Sequence, residues 1–94
     1  MVKMSEAEIR ERLPQANGWE RIGDELVRTW QFPSTRRALE FVGRVADEAE
    51  ALDHHLDIIL SYRSVRVELS THAEGGISAR DFELAERIGG LKLD

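Results

Sequence analysis

Three histidines fall within a nineteen-residue stretch of the chain, where it is predicted to leave regular structure. His54 and His55 follow the longest predicted helix, and His72 lies at the end of a predicted strand, with one hairpin between them. Because a hairpin returns the chain close to where it left, the three imidazoles are expected to approach one another. Imidazole can act as an acid and as a base near neutral pH, so this grouping predicts a site that transfers protons.

Asp81 is the carboxylate expected to act with these histidines, and its position has two interpretations. It follows Ser78 by three residues, which is the spacing of a capping box at the start of a helix. It could also accept a hydrogen bond from a histidine and so fix the tautomer of that imidazole. One carboxylate can fill both roles.

A metal site is the main alternative for the same residues. The three histidines could bind zinc, with Asp81 or Asp53 as a further ligand, because histidine and aspartate are common zinc ligands. The adjacent pair His54 and His55 lacks the i, i+4 spacing that places two imidazoles on one helix face. Proton transfer is therefore favoured over metal binding, and no metal site is predicted. The plainer interpretation, a polar turn and a solvated strand end, is weakened because all the histidines are concentrated in one stretch.

Length and composition restrict the class of protein. The chain has 94 residues, of which 41% are hydrophobic, and this supplies the core of a single domain spanning residues 1–94. No apolar stretch approaches the roughly 20 residues of a membrane-spanning helix. The net charge of −5 argues against nucleic acid or an anionic membrane as the main partner. The absence of cysteine excludes disulfides, thiolate clusters and cysteine nucleophiles, and with no apolar leader the expected location is cytoplasmic.

Three helices are predicted from capping signals and apolar spacing. Ser5 and Glu8 have capping-box spacing, which predicts a first helix over residues 5–13. Ser34 is a suitable N-cap for an amphipathic helix that extends to about residue 52. Ser78 begins a third helix, which stops at a pair of glycines at positions 89 and 90. The apolar residues of the second and third helices recur at spacings of three and four: Ala38, Val42, Val45, Ala46, Ala49 and Leu52, then Phe82, Ala85 and Ile88.

Four strands are predicted as two hairpins. Residues 19–22 and 25–32 flank a tight turn at 23–24, although Arg28 interrupts the alternation of the second strand. Residues 56–62 and 65–71 flank a turn placed at 63–64, and Val65, Val67, Leu69 and Thr71 share one face of the fourth strand. The order helix, hairpin, helix, hairpin, helix predicts an α+β fold, in which a four-stranded antiparallel sheet carries three helices on one face. Its uncovered edges predict a homo-oligomer.

The order and spacing of the candidate residues resemble those of the pterin-4a-carbinolamine dehydratases. The resemblance is carried by the segments 50–55 (EALDHH), Tyr62, 69–72 (LSTH) and 75–81 (GGISARD), and it extends over roughly residues 17 to 89. It implies a cofactor-free hydro-lyase that removes water from 4a-hydroxytetrahydrobiopterin, or a related 4a-hydroxytetrahydropterin, to give the quinonoid dihydropterin. The resemblance also implies dimers or tetramers.

The resemblance assigns roles to particular residues. It implies that His54 and His72 carry the proton transfers, that His55 chiefly holds the substrate, and that Asp81 orients an active-site imidazole. Which of His54 and His72 is the acid stays open. The pterin-contacting positions that it implies are Asp53, His54, His55, Ser70, Thr71, His72 and Ala73, largely through backbone groups.

Three positions depart from the family pattern. Leu56 stands where many members have proline, Ile58 stands where an aromatic residue is common, and Ala73 replaces a common acidic residue. These changes alter the expected pocket wall and leave every proton-transfer candidate in place. The alternative function is a non-catalytic, oligomerising binding module of the same fold. Catalysis would require His54, His55, His72 and Asp81 to face one concave site.

Overall fold

The computed structural model describes residues 3–93, and these residues form an open sheet with helices packed against it. The elements in chain order are α1 (Glu6–Arg12), β1 (Glu20–Ile22), β2 (Glu25–Gln31), α2 (Thr35–Ala51), β3 (Asp57–Ser61), β4 (Ser64–Leu69) and α3 (Ala79–Gly89). Two short 3₁₀ turns, Leu13–Gln15 and His72–Glu74, complete the described part. The predicted α+β class and element order are confirmed. No helix in this range is long and apolar enough to cross a lipid bilayer.

The four strands form one antiparallel sheet in the order β1-β2-β4-β3. The two strands of each hairpin, β1 with β2 and β3 with β4, pair with each other. The hairpins are joined by pairing of β2 with β4, in which Leu26 lies opposite Leu69 and Trp30 lies opposite Val65. On the other side of β4, Val67 pairs with Ile58 of β3. The strands β1 and β3 therefore form the two edges of the sheet.

One face of the sheet is apolar and is covered by α2 and α3. The alternation predicted for β4 is observed, since Val65, Val67 and Leu69 are fully buried while the residues between them are partly exposed. The helices contribute the opposing side of the core, which consists of Ala38, Phe41, Val45 and Ala49 from α2 and Phe82, Leu84, Ala85 and Ile88 from α3. Burial of these side chains is the main source of stability in a chain of this size.

Arg28 interrupts the apolar face of β2 and packs its guanidinium against Trp30 of the core. Its register partner is Val67, so its side chain projects from the helix-covered face. The guanidinium carbon lies 4.7 Å from the centre of the Trp30 ring, and Nη1 donates a hydrogen bond of 2.9 Å to the carbonyl of Asn17. The apolar face is therefore interrupted by a residue that stacks on Trp30 and keeps its charge hydrogen-bonded, and it resumes at buried Trp30 itself.

Two predicted boundaries differ from the structure. The turn between β3 and β4 consists of Tyr62 and Arg63, with Ser61 paired to Ser64, rather than of residues 63–64. Tyr62 has a φ of 58°, so the turn places a bulky residue in the left-handed region that turn sequences normally give to glycine or asparagine. The first helix ends at Arg12, and the chain then tightens into a 3₁₀ turn that contains Pro14.

The segment after β4 also differs from the prediction. The strand ends at Leu69 rather than at Thr71, and His72 begins a 3₁₀ turn. Thr71 forms an isolated antiparallel bridge with Gly76, in which its amide donates to the Gly76 carbonyl at 2.8 Å. Gly75 occupies the left-handed region with a φ of 74°, which lets the chain reverse here and lead into α3.

Candidate active site

The C-terminal end of α2 positions His54. Asp53 has a φ of 49°, its amide donates to the carbonyl of Glu50, and the amide of His54 donates to the carbonyl of Ala49. This pair of hydrogen bonds around a left-handed residue is a Schellman motif, with an aspartate where glycine is most common. Aspartate tolerates this conformation better than most residues do. The chain therefore leaves the helix abruptly and directs His54 toward α3.

The start of α3 supplies the partner of His54. Ser78 is the N-cap of the helix, and its amide donates to Asp81 Oδ2 at 2.9 Å, so the predicted capping box is present. Thr71 Oγ1 donates to the same oxygen at 2.8 Å, and the Thr71 and Ser78 hydroxyl oxygens are 2.7 Å apart. Since Thr71 gives its proton to Asp81, Ser78 is the donor in that last contact. The Asp81 side chain has no exposed surface, and these donors satisfy it.

His54 completes this network through a short contact with Asp81. The distance from His54 Nε2 to Asp81 Oδ1 is 2.5 Å, and the His54 side chain retains only 9% of its exposed surface. An ionised carboxylate can only accept hydrogen bonds, so it requires the proton of this contact to lie on Nε2. The nitrogen of His54 that remains to exchange a proton is therefore Nδ1. Asp81 fills both of the roles considered from the sequence, since it caps α3 and binds a histidine.

Arg80 holds the two helix ends together, a role that sequence analysis did not indicate. Its Nη1 donates a hydrogen bond of 3.0 Å to the carbonyl of Leu52, the C-cap residue of α2. A cation at a helix C-terminus is favourable because the last carbonyls carry partial negative charge. This contact spans 28 residues and depends on how α2 and α3 pack, so no local pattern could have identified it.

His55 and His72 both line a cleft on the face of the sheet that the helices do not cover. The cleft has a volume of about 170 Å³ and is lined by His55, Leu56, Asp57, Glu68, Ser70 and His72. Through Ser70 and His72 it continues into a groove of about 430 Å³ that reaches Gly75 and Gly76. His54 is not among the lining residues of either cavity. The structure thus places His55 and His72 on the cleft wall, whereas His54 and Asp81, which were expected to face the same site, are buried against each other and line neither cavity.

The remaining candidate residues occupy different positions around this cleft. Ser70 lies on its wall, whereas Asp53 and Ala73 are exposed. The Thr71 hydroxyl donates to Asp81, and its amide and carbonyl both pair with Gly76. Thr71 is therefore held as part of the network that orients His54.

Of the three positions that depart from the family pattern, Leu56 lines the cleft, whereas Ile58 and Ala73 do not. Leu56 lies on the wall, where it supplies an apolar surface beside His55. Ile58 is partly buried and packs against the core, so the aromatic residue expected there is replaced by a smaller core side chain. Glu68, which the sequence analysis did not single out, also lines the cleft. The strict alternation of β4 could have placed it on the same face as Ser70 and His72.

A three-histidine metal site is not formed by the described residues. Within residues 3–93 the one group of side chains close enough to hold an ion consists of Glu25, Asp57 and Glu68, whose carboxylate oxygens lie within 4.8 Å of one another. The imidazoles do not take part in it. The geometry therefore gives no support to the metal interpretation of the histidines.

Comparison with known proteins gives a consistent result. Residues 2–91 match the family model described as Pterin 4 alpha carbinolamine dehydratase. A protein of Thermomicrobium roseum is 45% identical over 91 residues, which cover 97% of this chain and 98% of that protein. A protein of Roseiflexus castenholzii is 47% identical over 85 residues, covering 90% and 91% of the two chains. Both carry names that assign them provisionally as pterin-4-alpha-carbinolamine dehydratases.

Solved structures agree with the fold. The crystal structure of a protein from Brucella melitensis, described as a transcriptional coactivator/pterin dehydratase, superimposes with a TM-score of 0.86 at 30% identity, over 93% of this chain and 95% of that one. A pterin dehydratase-like protein, described as a RuBisCO assembly factor in the alpha-carboxysome, superimposes with a TM-score of 0.58 at 20% identity, over 81% and 94%. At that identity the second likeness concerns the fold alone.

Proposed function

Since the chain belongs to the pterin 4 alpha carbinolamine dehydratase family, we propose that it dehydrates a 4a-hydroxytetrahydropterin to the quinonoid dihydropterin. The substrate class includes 4a-hydroxytetrahydrobiopterin, and the setting is the recycling of a pterin cofactor. The observation that supports a catalytic role most directly is the buried contact between His54 and Asp81, because the next residue, His55, lines a cleft together with His72.

The reaction needs two proton transfers on opposite sides of one ring system. A proton must reach the leaving hydroxyl so that the bond from C4a to oxygen breaks and water departs. A proton must also leave the adjacent ring nitrogen, whose electron pair forms the new carbon–nitrogen double bond. Two imidazoles can supply these steps near neutral pH, one as acid and one as base. We assign them to His54 and His72.

The environment of each histidine suits a different part of this task. Asp81 holds Nε2 of His54, which fixes the tautomer and leaves Nδ1 for the proton transfer. His72 is exposed on the cleft wall at the start of a 3₁₀ turn, where it can reach a ring bound there. His55 is exposed on the same wall and is assigned to hold the substrate, together with Ser70.

The reaction as written requires no redox change, so we propose that no cofactor takes part. We further propose that the protein acts in the cytoplasm as a homodimer or homotetramer. The edge strand β3 supports an oligomer, because Leu60 and Tyr62 at this edge are 37% and 75% exposed.

The decisive experiment measures dehydration of freshly generated 4a-hydroxytetrahydropterin by ultraviolet absorbance. The wild type should accelerate the reaction over the spontaneous rate, and His54→Ala and His72→Ala should each lose about 10²- to 10⁴-fold, which is typical of general acid–base groups. His55→Ala should raise KM more than it lowers kcat, because His55 is assigned to binding.

Circular dichroism of each variant controls for folding. If the folded wild type gives only the spontaneous rate, dehydration of this substrate is excluded, and a non-catalytic binding module of the same fold becomes the better account. If the wild type is active and both histidine variants keep full rate, the reaction stands while the assignment of the acid and the base fails.

A further inference from the structure

Glu68 lies where it can contact a ring bound in the cleft and discriminate between different rings. It sits on the solvent-facing side of β4, two residues before Ser70 and four before His72, and it lines the same cavity as His55 and His72. A strand in the middle of the sheet is a rigid support, because β4 is hydrogen-bonded on both sides. A side chain carried by such a strand can discriminate between ligands more sharply than one on a mobile loop.

The carboxylate of Glu68 is also held in place. Arg66 Nε donates a hydrogen bond of 2.8 Å to Glu68 Oε2, and the Glu68 side chain is 22% exposed. Arg66 occupies one acceptor site of Oε2, so Oε1 and the second lone pair of Oε2 can still accept hydrogen bonds from a ligand. The orientation of the Glu68 carboxylate is therefore set before any ligand binds, and this reduces the loss of side-chain entropy on binding.

The charge around Glu68 favours a ligand that brings hydrogen-bond donors. Asp57 is its register partner on β3, Glu25 lies on β2, and the oxygens of the three carboxylates are within 4.8 Å of one another. Like charges at this distance repel one another, whereas N–H groups placed among them are attracted. A ligand edge that carries acceptors would be repelled at this point.

We infer that Glu68 selects the 2-amino-4-oxopyrimidine ring of a pterin by accepting hydrogen bonds from its 2-amino group and its N3–H. These two donors lie side by side, and a carboxylate matches such a pair in a bidentate arrangement. The inference rests on the proposed function for the location of the site, and it makes Glu68 a specificity-determining residue with no part in the proton transfers.

The test compares two stable ligands that differ at one position. Pterin carries the 2-amino group, and lumazine carries a 2-oxo group in its place, so lumazine presents an acceptor to Glu68. Affinities are measured by calorimetry with the full chain. The wild type should bind pterin about 10- to 100-fold more tightly than lumazine, which is the usual contribution of a hydrogen bond to a charged group.

Glu68→Gln is the informative variant, because its carboxamide offers one acceptor and one donor. It should lower the affinity for pterin at least about tenfold and bring the preference for pterin over lumazine close to unity or below it. Glu20→Gln is the matched control, since it removes the same charge from an exposed position on the same sheet face outside the cleft. That variant should retain the wild-type preference.

The outcomes separate this inference from the proposed function. If the wild type is an active dehydratase but binds pterin and lumazine equally, or if Glu68→Gln keeps the wild-type preference, the inference fails and the function stands. If pterin binds selectively and the selectivity depends on Glu68 although no turnover occurs, the inference stands and the function fails. If pterin binds only with an added divalent cation and is released by a chelator, the carboxylates hold an ion and the inference is overturned.

Discussion

Replacement of Asp81 by asparagine tests whether one carboxylate both caps α3 and sets the tautomer of His54. The amide has nearly the same shape as the carboxylate but only one acceptor oxygen. That oxygen is expected to take the place of Oδ2, where the Ser78 amide and the Thr71 hydroxyl donate at 2.9 and 2.8 Å. The amide nitrogen then faces His54 Nε2, where Oδ1 lies at 2.5 Å in the wild type.

The cost in stability follows from these contacts. A hydrogen bond to a charged group contributes about 1.5–3 kcal/mol and a neutral one about 0.5–1.5 kcal/mol, so each donor on the lost carboxylate weakens by roughly 1 kcal/mol. Removal of a buried charge offsets part of that loss. We expect Asp81→Asn to lower the free energy of unfolding by about 1–2 kcal/mol, and each kcal/mol should lower Tm by roughly 4–8 °C.

The cost in activity is larger, because the tautomer of His54 reverses. An amide N–H can only donate, so Nε2 must become the acceptor and the proton must move to Nδ1. Nδ1 then carries the proton of the neutral imidazole, and the carboxylate that would stabilise the imidazolium is lost, so His54 is impaired as an acid and as a base. By analogy with catalytic triads that lose their orienting carboxylate, kcat should fall about 10²- to 10⁴-fold while KM changes little.

The assay combines dehydration kinetics with urea unfolding of three variants. Ser78→Ala should lose about 0.5–2 kcal/mol of stability through the helix cap while it retains most of kcat. Glu83→Gln removes a charge from an exposed position of α3 and should match the wild type in both measurements. The reasoning is refuted if folded Asp81→Asn keeps kcat within about threefold of the wild type, or if Ser78→Ala loses kcat as severely as Asp81→Asn.

Two further predictions concern stability. Gly18→Ala should destabilise the protein by about 1–3 kcal/mol, because φ is +89° and an added Cβ would lie 2.7 Å from Arg28 Cζ. Urea midpoints should show this loss. The control Gly43→Ala, whose added Cβ would have nothing within 4 Å, should be neutral or stabilising. Hydrogen bonds from Ser5 lower the pKa of Glu8 below its usual 4.5, so the stability it contributes is present above pH 4.5 and is lost as the pH falls through the lowered value. The difference in unfolding free energy between wild type and Glu8→Gln should therefore shrink from pH 6 to pH 3, and a constant difference would contradict this account.

The elements of this fold were predictable because their signals are local. Alternation along β4, the apolar stripe of α2 and the capping residues each depend on neighbours within a few positions, and the structure confirms all three. The shifted turn at Tyr62 shows the limit of such signals. Its sequence contains no glycine or asparagine, so the pairing of β3 with β4 sets the turn, and the tyrosine adopts a φ of 58° as a consequence.

The partner of Asp81 depended on tertiary packing and not on spacing. The sequence indicated that Asp81 could bind a histidine, but three histidines had suitable residue chemistry. The structure selects His54 because the left-handed turn at Asp53 and the contact from Arg80 to Leu52 bring the end of α2 against the start of α3. Neither interaction could be recognised from the sequence, since an aspartate after a helix and an arginine in the first turn of a helix are common on protein surfaces.

The same geometry couples the candidate site to folding. Asp81 reaches His54 only when α3 has docked against α2, and α3 in turn begins at the cap that Asp81 completes. A carboxylate buried without its donors would cost several kcal/mol, so the network is stable only as a whole. His54 is therefore expected to acquire its fixed tautomer in the same step that closes the core. A chain that folds cooperatively should then contain no native-like state in which the helices are packed and this imidazole is unoriented.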